Sequence, residues 1–141
     1  MENGQKATSS GGPGPIRDFT DLEMWRIARQ LRAKVYNGCR RFPKDETYGL
    51  VTQIRRAAVS VTANIAEGFG RYSYQENIQF CRLSRASTYE LRDHFTTALD
   101  AGYISKEEFA ELEKQAISVI KLLNGYIRAT KNRKEAPGNK P

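Results

Sequence analysis

An all-α, antiparallel up-down-up-down four-helix bundle is the architecture this sequence predicts, and three observations carry the prediction. Four segments repeat apolar residues every three or four positions, the period of a helix with one buried face. Each segment is bounded by residues that start or stop helices. No stretch alternates apolar and polar residues over a strand's length, so no sheet competes. Connections such as Gly102-Tyr103-Ile104 are short, and short connections make consecutive helices antiparallel neighbours.

The first helix opens at Thr20-Asp21-Leu22-Glu23, a capping-box pattern in which two side chains satisfy each other's backbone N–H groups. Met24, Ile27, Ala28, Leu31, Val35 and Phe42 follow at helical spacing, and Pro43 stops the helix. Asp45 is suited to cap the second helix, whose apolar face is Val51, Ile54, Ala58, Val61, Ile65 and Phe69. Gln53, Arg56, Ser60, Asn64, Glu67 and Arg71 form a polar stripe on its other side. Gly68 and Gly70 can take the left-handed conformation that ends a helix. Ser73-Tyr74-Gln75-Glu76 is a second capping box and opens a third helix that runs to Gly102. Ser105-Lys106-Glu107-Glu108 is the third box. Its helix turns Phe109, Leu112, Ala116, Val119, Leu123 and Tyr126 inward and ends near Thr130.

The ends differ from the middle. Residues 1–17 and 131–141 hold almost no apolar side chains, so both are expected to be disordered tails around a single domain at 18–130. A membrane span needs about 18 consecutive apolar residues, which the chain lacks, and no hydrophobic signal core stands at its start; a soluble, cytoplasmic protein is expected. Cys39 and Cys81 fall inside helical patterns and read as reduced, buried thiols. The net charge of +7 is uneven. Residues 17–56 hold ten basic and five acidic side chains, and residues 131–141 hold four and one. That balance points to a polyanionic partner.

The run Val59 to Arg71, VSVTANIAEGFGR, is the most specific stretch. Asn64-Ile65-Ala66-Glu67-Gly68 resembles the NIAEG core of a bacterial family of four-helix-bundle proteins, first noticed as reading frames inside intervening sequences of large-subunit ribosomal RNA. Tyr48 to Ser60, YGLVTQIRRAAVS, is similar to the family's pattern as well, and the likeness extends from about Phe19 to Arg128. Thr62 departs from it where such proteins often carry proline, which bears on a local kink. The resemblance implies a homo-oligomer, specifically a five-fold ring. Relatives include the accessory variability proteins of diversity-generating retroelements, so it also implies RNA as a partner and, in the retroelement case, a reverse transcriptase.

The third helix shows two faces. Asn77, Cys81, Ser84, Thr88, Leu91, Phe95 and Ala98 make its heptad-like face, while Phe80 and Leu83 lie elsewhere, above Ser87. A helix apolar on two sides needs two packing partners, so Phe80 and Leu83, with Trp25 on the first helix, are assigned to a subunit interface. Two arginine–aromatic stripes stand out. One is Trp25, Arg29, Arg32, Tyr36 and Arg40; the other is Arg82, Arg85, Tyr89 and Arg92. Arginine forks onto phosphate and aromatic rings stack on unpaired bases, so these residues, with Arg56 and Arg71, are the nucleic-acid-binding candidates. The same residue types are enriched at protein interfaces, and that competing use stays open. Glu107, Glu108, Glu111 and Glu113 would repel phosphate and are expected to face away from RNA.

Catalytic constellations are missing from the pattern. His94 has no cysteine or second histidine at ligand spacing, and neighbouring Asp93 points elsewhere on the helix, so neither a zinc site nor a dyad is expected. Gly68-Phe69-Gly70 follows a helix rather than a strand and lacks the lysine of a phosphate loop. Asn64 and Glu67 are read as structural, tying the end of the second helix to the loop and the third helix. The combined expectation is a non-enzymatic, cofactor-free, oligomeric nucleic-acid-binding accessory protein. Its alternative is a protein-interaction scaffold whose arginine stripes bind subunits or an acidic protein.

Overall fold

A computed structural model describes residues 14–134; the expectations for residues 1–13 and 135–141 lie outside it. A 3-10 turn at Phe19–Asp21 leads into α1 (Glu23–Cys39), and a second at Lys44–Glu46 leads into α2 (Leu50–Phe69). α3 (Tyr74–Asp100) and α4 (Lys106–Lys134) follow, with no strand among the described residues. α1 packs on α2 and α4, and α3 packs on α2 and α4, so each helix has two neighbours. Residue numbers that meet rise along one helix as they fall along the next. Arg32 bonds Thr62 while Tyr36 lies against Arg55, and Ser60 bonds Ser87 while Gly68 lies against Phe80.

The predicted core faces are the ones that are buried. Met24, Ala28, Leu31 and Val35 from α1 meet Val51, Ile54, Ala58, Val61 and Ile65 from α2. Ile27, Phe42 and Phe69, and on α4 Phe109, Leu112 and Tyr126, all expected inside, are only partly buried and pack on the margin of this cluster. The whole heptad-like face of α3 is buried, although three of its seven residues, Asn77, Ser84 and Thr88, are polar. They are tolerated because their polar atoms have partners. Ser84 Oγ donates to the Val61 carbonyl of α2 at 2.7 Å, Thr88 Oγ1 to the Ser84 carbonyl at 2.9 Å, and Asn77 Nδ2 to the Tyr126 hydroxyl at 2.8 Å. Burial and the Arg85 guanidinium act on the Cys81 thiol in opposite senses; burial dominates and pushes it up to about 12.

Several helix boundaries differ from expectation. Thr20 does not cap α1: its hydroxyl donates to Asp18, and the Asp21 carboxylate reaches back to the N–H groups of Arg17 and Asp18 at 2.9 and 3.0 Å. The box therefore closes the 3-10 turn, and α1 begins after Leu22 without a side-chain cap. Asp45 does not cap α2 either. It sits inside the second 3-10 turn, and Glu46 Oε1 accepts from the Leu50 N–H at 3.1 Å instead. Ser73 and Ser105 cap α3 and α4 as expected, with Glu108 completing its box by accepting from the Ser105 N–H at 2.9 Å. α3 ends at Asp100, and Gly102, at φ 78, is the residue whose left-handed backbone turns the chain. Lys131–Lys134, expected in the tail, extend α4 by a further turn.

Candidate nucleic-acid interface

The α3 stripe is largely spoken for by α4. Arg92 forks onto Glu113, with Nε at 3.1 Å from both carboxylate oxygens and Nη2 at 2.8 Å from one. Arg85 Nη1 donates to Asn124 Oδ1 at 2.6 Å. Tyr89 lies under the Arg92 guanidinium, 5.4 Å from centroid to carbon. Arg82 is exposed and has no polar partner among the described residues. The expected separation of acid from base therefore fails here: Glu113 borders the α3 stripe, Glu111 pairs with Lys34 of α1, and Glu108 pairs with Arg41 in the turn after α1. A bidentate carboxylate already satisfies the fork that phosphate would use.

The α1–α2 side is different. Trp25 and Phe19 meet edge to face with centroids 5.1 Å apart, and Arg29 lies over the Trp25 ring at 5.6 Å. Arg32 Nη1 donates to Thr62 Oγ1 at 2.9 Å, Arg55 covers Tyr36 at 5.0 Å, and Arg40 is exposed beyond it. No carboxylate pairs with Arg29, Arg32, Arg40 or Arg55 among the described residues. The buried Nε of Arg55 lacks an acceptor. Sequence reasoning missed Arg55. Its place four residues after buried Val51 and seven before Thr62 sets it on the α1-facing edge of α2, a spacing that identifies it. Thr62, at the position of the family's common proline, supplies the hydroxyl that Arg32 uses, and α2 runs through it without a break.

Arg56 and Arg71, the remaining candidates, are paired. Arg56 bonds Gln53 and Glu90, and Glu90 also bonds His94 Nε2 at 3.1 Å. The histidine's partner is thus the glutamate one turn earlier, not Asp93. Arg71 pairs with Glu67 at 2.8 Å and lies over the Phe80 ring at 4.8 Å.

The motif residues play parts other than those expected. Asn64 Nδ2 donates within its own helix, to the Ser60 carbonyl at 2.8 Å and hydroxyl at 3.0 Å. Only through the Ser60–Ser87 hydroxyl contact, 2.8 Å, does it reach α3. Among the described residues, Glu67 is tied to the loop by Arg71. Gly68 and Gly70 are not left-handed; Gly70 has φ −76, and Gly68 is buried inside α2. Gly68 is there for proximity: a Cβ on it would stand 2.7 Å from Phe80 Cβ. Phe80 is accordingly packed within the chain, against Gly68 and beneath Arg71, whereas Leu83 remains 44% exposed. Trp25 is half-buried by Phe19 and Arg29 of its own chain. Among the described residues no group of three or more acidic, histidine or cysteine side chains could hold a metal, and no helix is long and apolar enough to cross a membrane.

Fold and surface together define a four-helix protein, without strands among the described residues, with one arginine–aromatic face whose arginines pair with no carboxylate among those residues. Residues 20–125 match the family model of the 23S rRNA-intervening sequence protein, and the chain belongs to that family. A crystal structure of a protein of unknown function from the S23 ribosomal protein family of Bacteroides thetaiotaomicron shares the fold. The TM-score is 0.70 at 18% identity, over 74% of this chain and 95% of that one. No curated protein matches.

Proposed function

We propose that this chain is a non-enzymatic RNA-binding accessory protein of the cytoplasm, that its helices form an antiparallel up-down-up-down bundle, and that it works as a ring-like homo-oligomer. One observation carries the RNA reading: the α1–α2 face holds Arg29, Arg32, Arg40 and Arg55 beside Trp25 and Tyr36 with no paired carboxylate among the described residues. Arginines free of carboxylates keep their charge for phosphate. The α3 stripe ranks behind it because Glu113 and Asn124 hold two of its arginines. The antiparallel order is supported by the rising and falling contact numbers. The family's rings support a pentamer, and Leu83 offers an apolar contact for a neighbouring subunit.

The test is RNA binding by fluorescence anisotropy across a salt series. Each phosphate contact contributes a slope of about −0.7 to −0.9 in log K against log salt. Changing Arg29, Arg40 and Arg55 together to Gln should flatten that slope by two contacts or more, while Arg82→Gln changes it little. Unchanged affinity and slope in the triple variant remove the α1–α2 face as the RNA surface. Light scattering tests assembly, and a monomer at micromolar concentration overturns the ring; Leu83→Asp should dissociate it, since an unpaired charge is costly at a buried contact. A reverse transcriptase gene with a template repeat beside this gene would assign the partner to a retroelement. Val59, 42% exposed, favours as second reading a protein partner on the α1–α2 face, in which case the triple variant loses that partner and not RNA.

A further inference from the structure

A cleft of about 360 Å³ opens between the C-terminal half of α1 and the N-terminal half of α4, and none of the arginines of the RNA face lines it. Its floor is Ile54, Phe95, Ala98 and Ile104, and Val35 and Leu112 stand in its walls. All are apolar, so the floor offers burial and no hydrogen bonds. This volume falls in the range of sites that enclose small organic molecules. The mouth is charged. Lys34 pairs with Glu111 at 2.9 Å, Arg41 pairs with Glu108, and Glu107 has no ion-pair partner among the described residues.

Gly38 lines this cleft from inside α1. Glycine within a helix lowers its stability by about 0.5–1 kcal/mol relative to alanine. Nothing in the chain requires it: its φ is not positive, and a Cβ there would meet only Arg41 Nη2, at 3.9 Å. The missing side chain leaves the wall of the cleft open. Charge then selects the occupant. An anion would have to take Lys34 or Arg41 from the glutamate that already holds it. A cation finds Glu107 uncontested, beside two further carboxylates against two bases.

We propose that this cleft is a binding site for a small, mainly apolar organic amine, with its hydrocarbon on Ile54, Phe95 and Ile104 and its ammonium at Glu107. The site shares no lining residue with the RNA-binding face.

Three probes of one shape test it by calorimetry on the full chain: phenylpropylamine, the neutral phenylpropanol and the anionic phenylpropanoate. The amine should bind saturably, phenylpropanol more weakly, and phenylpropanoate most weakly. Glu107→Gln should weaken the amine by about two- to fivefold, the strength of an exposed ion pair, and leave the alcohol unchanged. Gly38→Leu fills the cleft and should abolish all three. If that variant fails to fold, Glu107→Gln carries the test, because its side chain is exposed. No saturable binding of the amine overturns the site, as does equal binding of amine and acid. So does unaltered amine binding in Glu107→Gln or in a folded Gly38→Leu.

Discussion

An alanine at position 68 adds one methyl group, and its neighbours are fixed. The new Cβ would stand 2.7 Å from Phe80 Cβ, 3.1 Å from Asn77 Oδ1 and 3.2 Å from the Asn77 carbonyl oxygen. The first and third of these ride on the α3 backbone, so no side-chain rotation relieves them and α3 must draw back from α2. Overpacking of this kind costs about 1–3 kcal/mol. Alanine restores about 0.5–1 kcal/mol of helix propensity, because Gly68 lies within α2 and has no positive φ. The net loss is between zero and about 2.5 kcal/mol, or up to roughly 10 °C in melting temperature for a domain of this size. Gly125, in α4, is the control: nothing lies within 4 Å of its Cβ position, so Gly125→Ala should stabilise by about 0.5–1 kcal/mol. Thermal melts followed by far-UV circular dichroism read both variants. A Gly68→Ala protein that melts above the wild type, alongside Gly125→Ala, refutes close approach as the reason for the motif glycine.

The other motif residues should respond mildly. Asn64→Ala removes bonds inside α2 and should cost about 0.5–1.5 kcal/mol, whereas Glu67→Ala breaks an exposed pair and should cost under about 1 kcal/mol in urea unfolding. Unchanged stability with lost RNA binding in either variant would make the motif a binding site instead. Acid should weaken the fold through Glu46 and Glu108. Their carboxyls lie below the usual 4.5, Glu46 through the Leu50 N–H and the Tyr103 hydroxyl, Glu108 through the Ser105 N–H and then Arg41. A folded value below the unfolded one gives stability that is fully present above 4.5 and is lost as pH falls through the folded value. Melting temperature should therefore drop on acidification below that point, and the Glu46→Gln, Glu108→Gln double variant should show a shallower drop; parallel acid limbs would sink this assignment.

Periodicity made the helices and their inner faces legible, even on α3, where Asn77, Ser84 and Thr88 are polar. Position on the helix, not hydrophobicity, marked them as buried. Capping was less legible, because Asp18, Thr20 and Asp21 offer several mutually exclusive bonding patterns and only the geometry of the turn selects one. The arginine stripes were visible but their occupancy was not. Arg92 and Arg29 look alike in sequence, and what distinguishes them is Glu113, 21 residues away on another helix. Asn64 was misjudged because an asparagine inside a helix can bond its own preceding turn, and no spacing rule says whether it does.

The two seams flanking this bundle answer to different solvents. α2 and α3 are joined by hydroxyls donating to buried acceptors and by a glycine pressed against a side chain, contacts that dissolved ions cannot reach. α1 and the turn after it are bridged to α4 at their rim by Lys34–Glu111 and Arg41–Glu108, where every side chain is at least 39% exposed and mobile ions screen the attraction. Ionic strength thus acts on this rim and on the exposed Arg56–Glu90 pair between α2 and α3, and spares the buried contacts beneath that pair. Because α1 also carries the carboxylate-free arginines, a salt titration of RNA binding changes the footing of that helix together with the charge it presents.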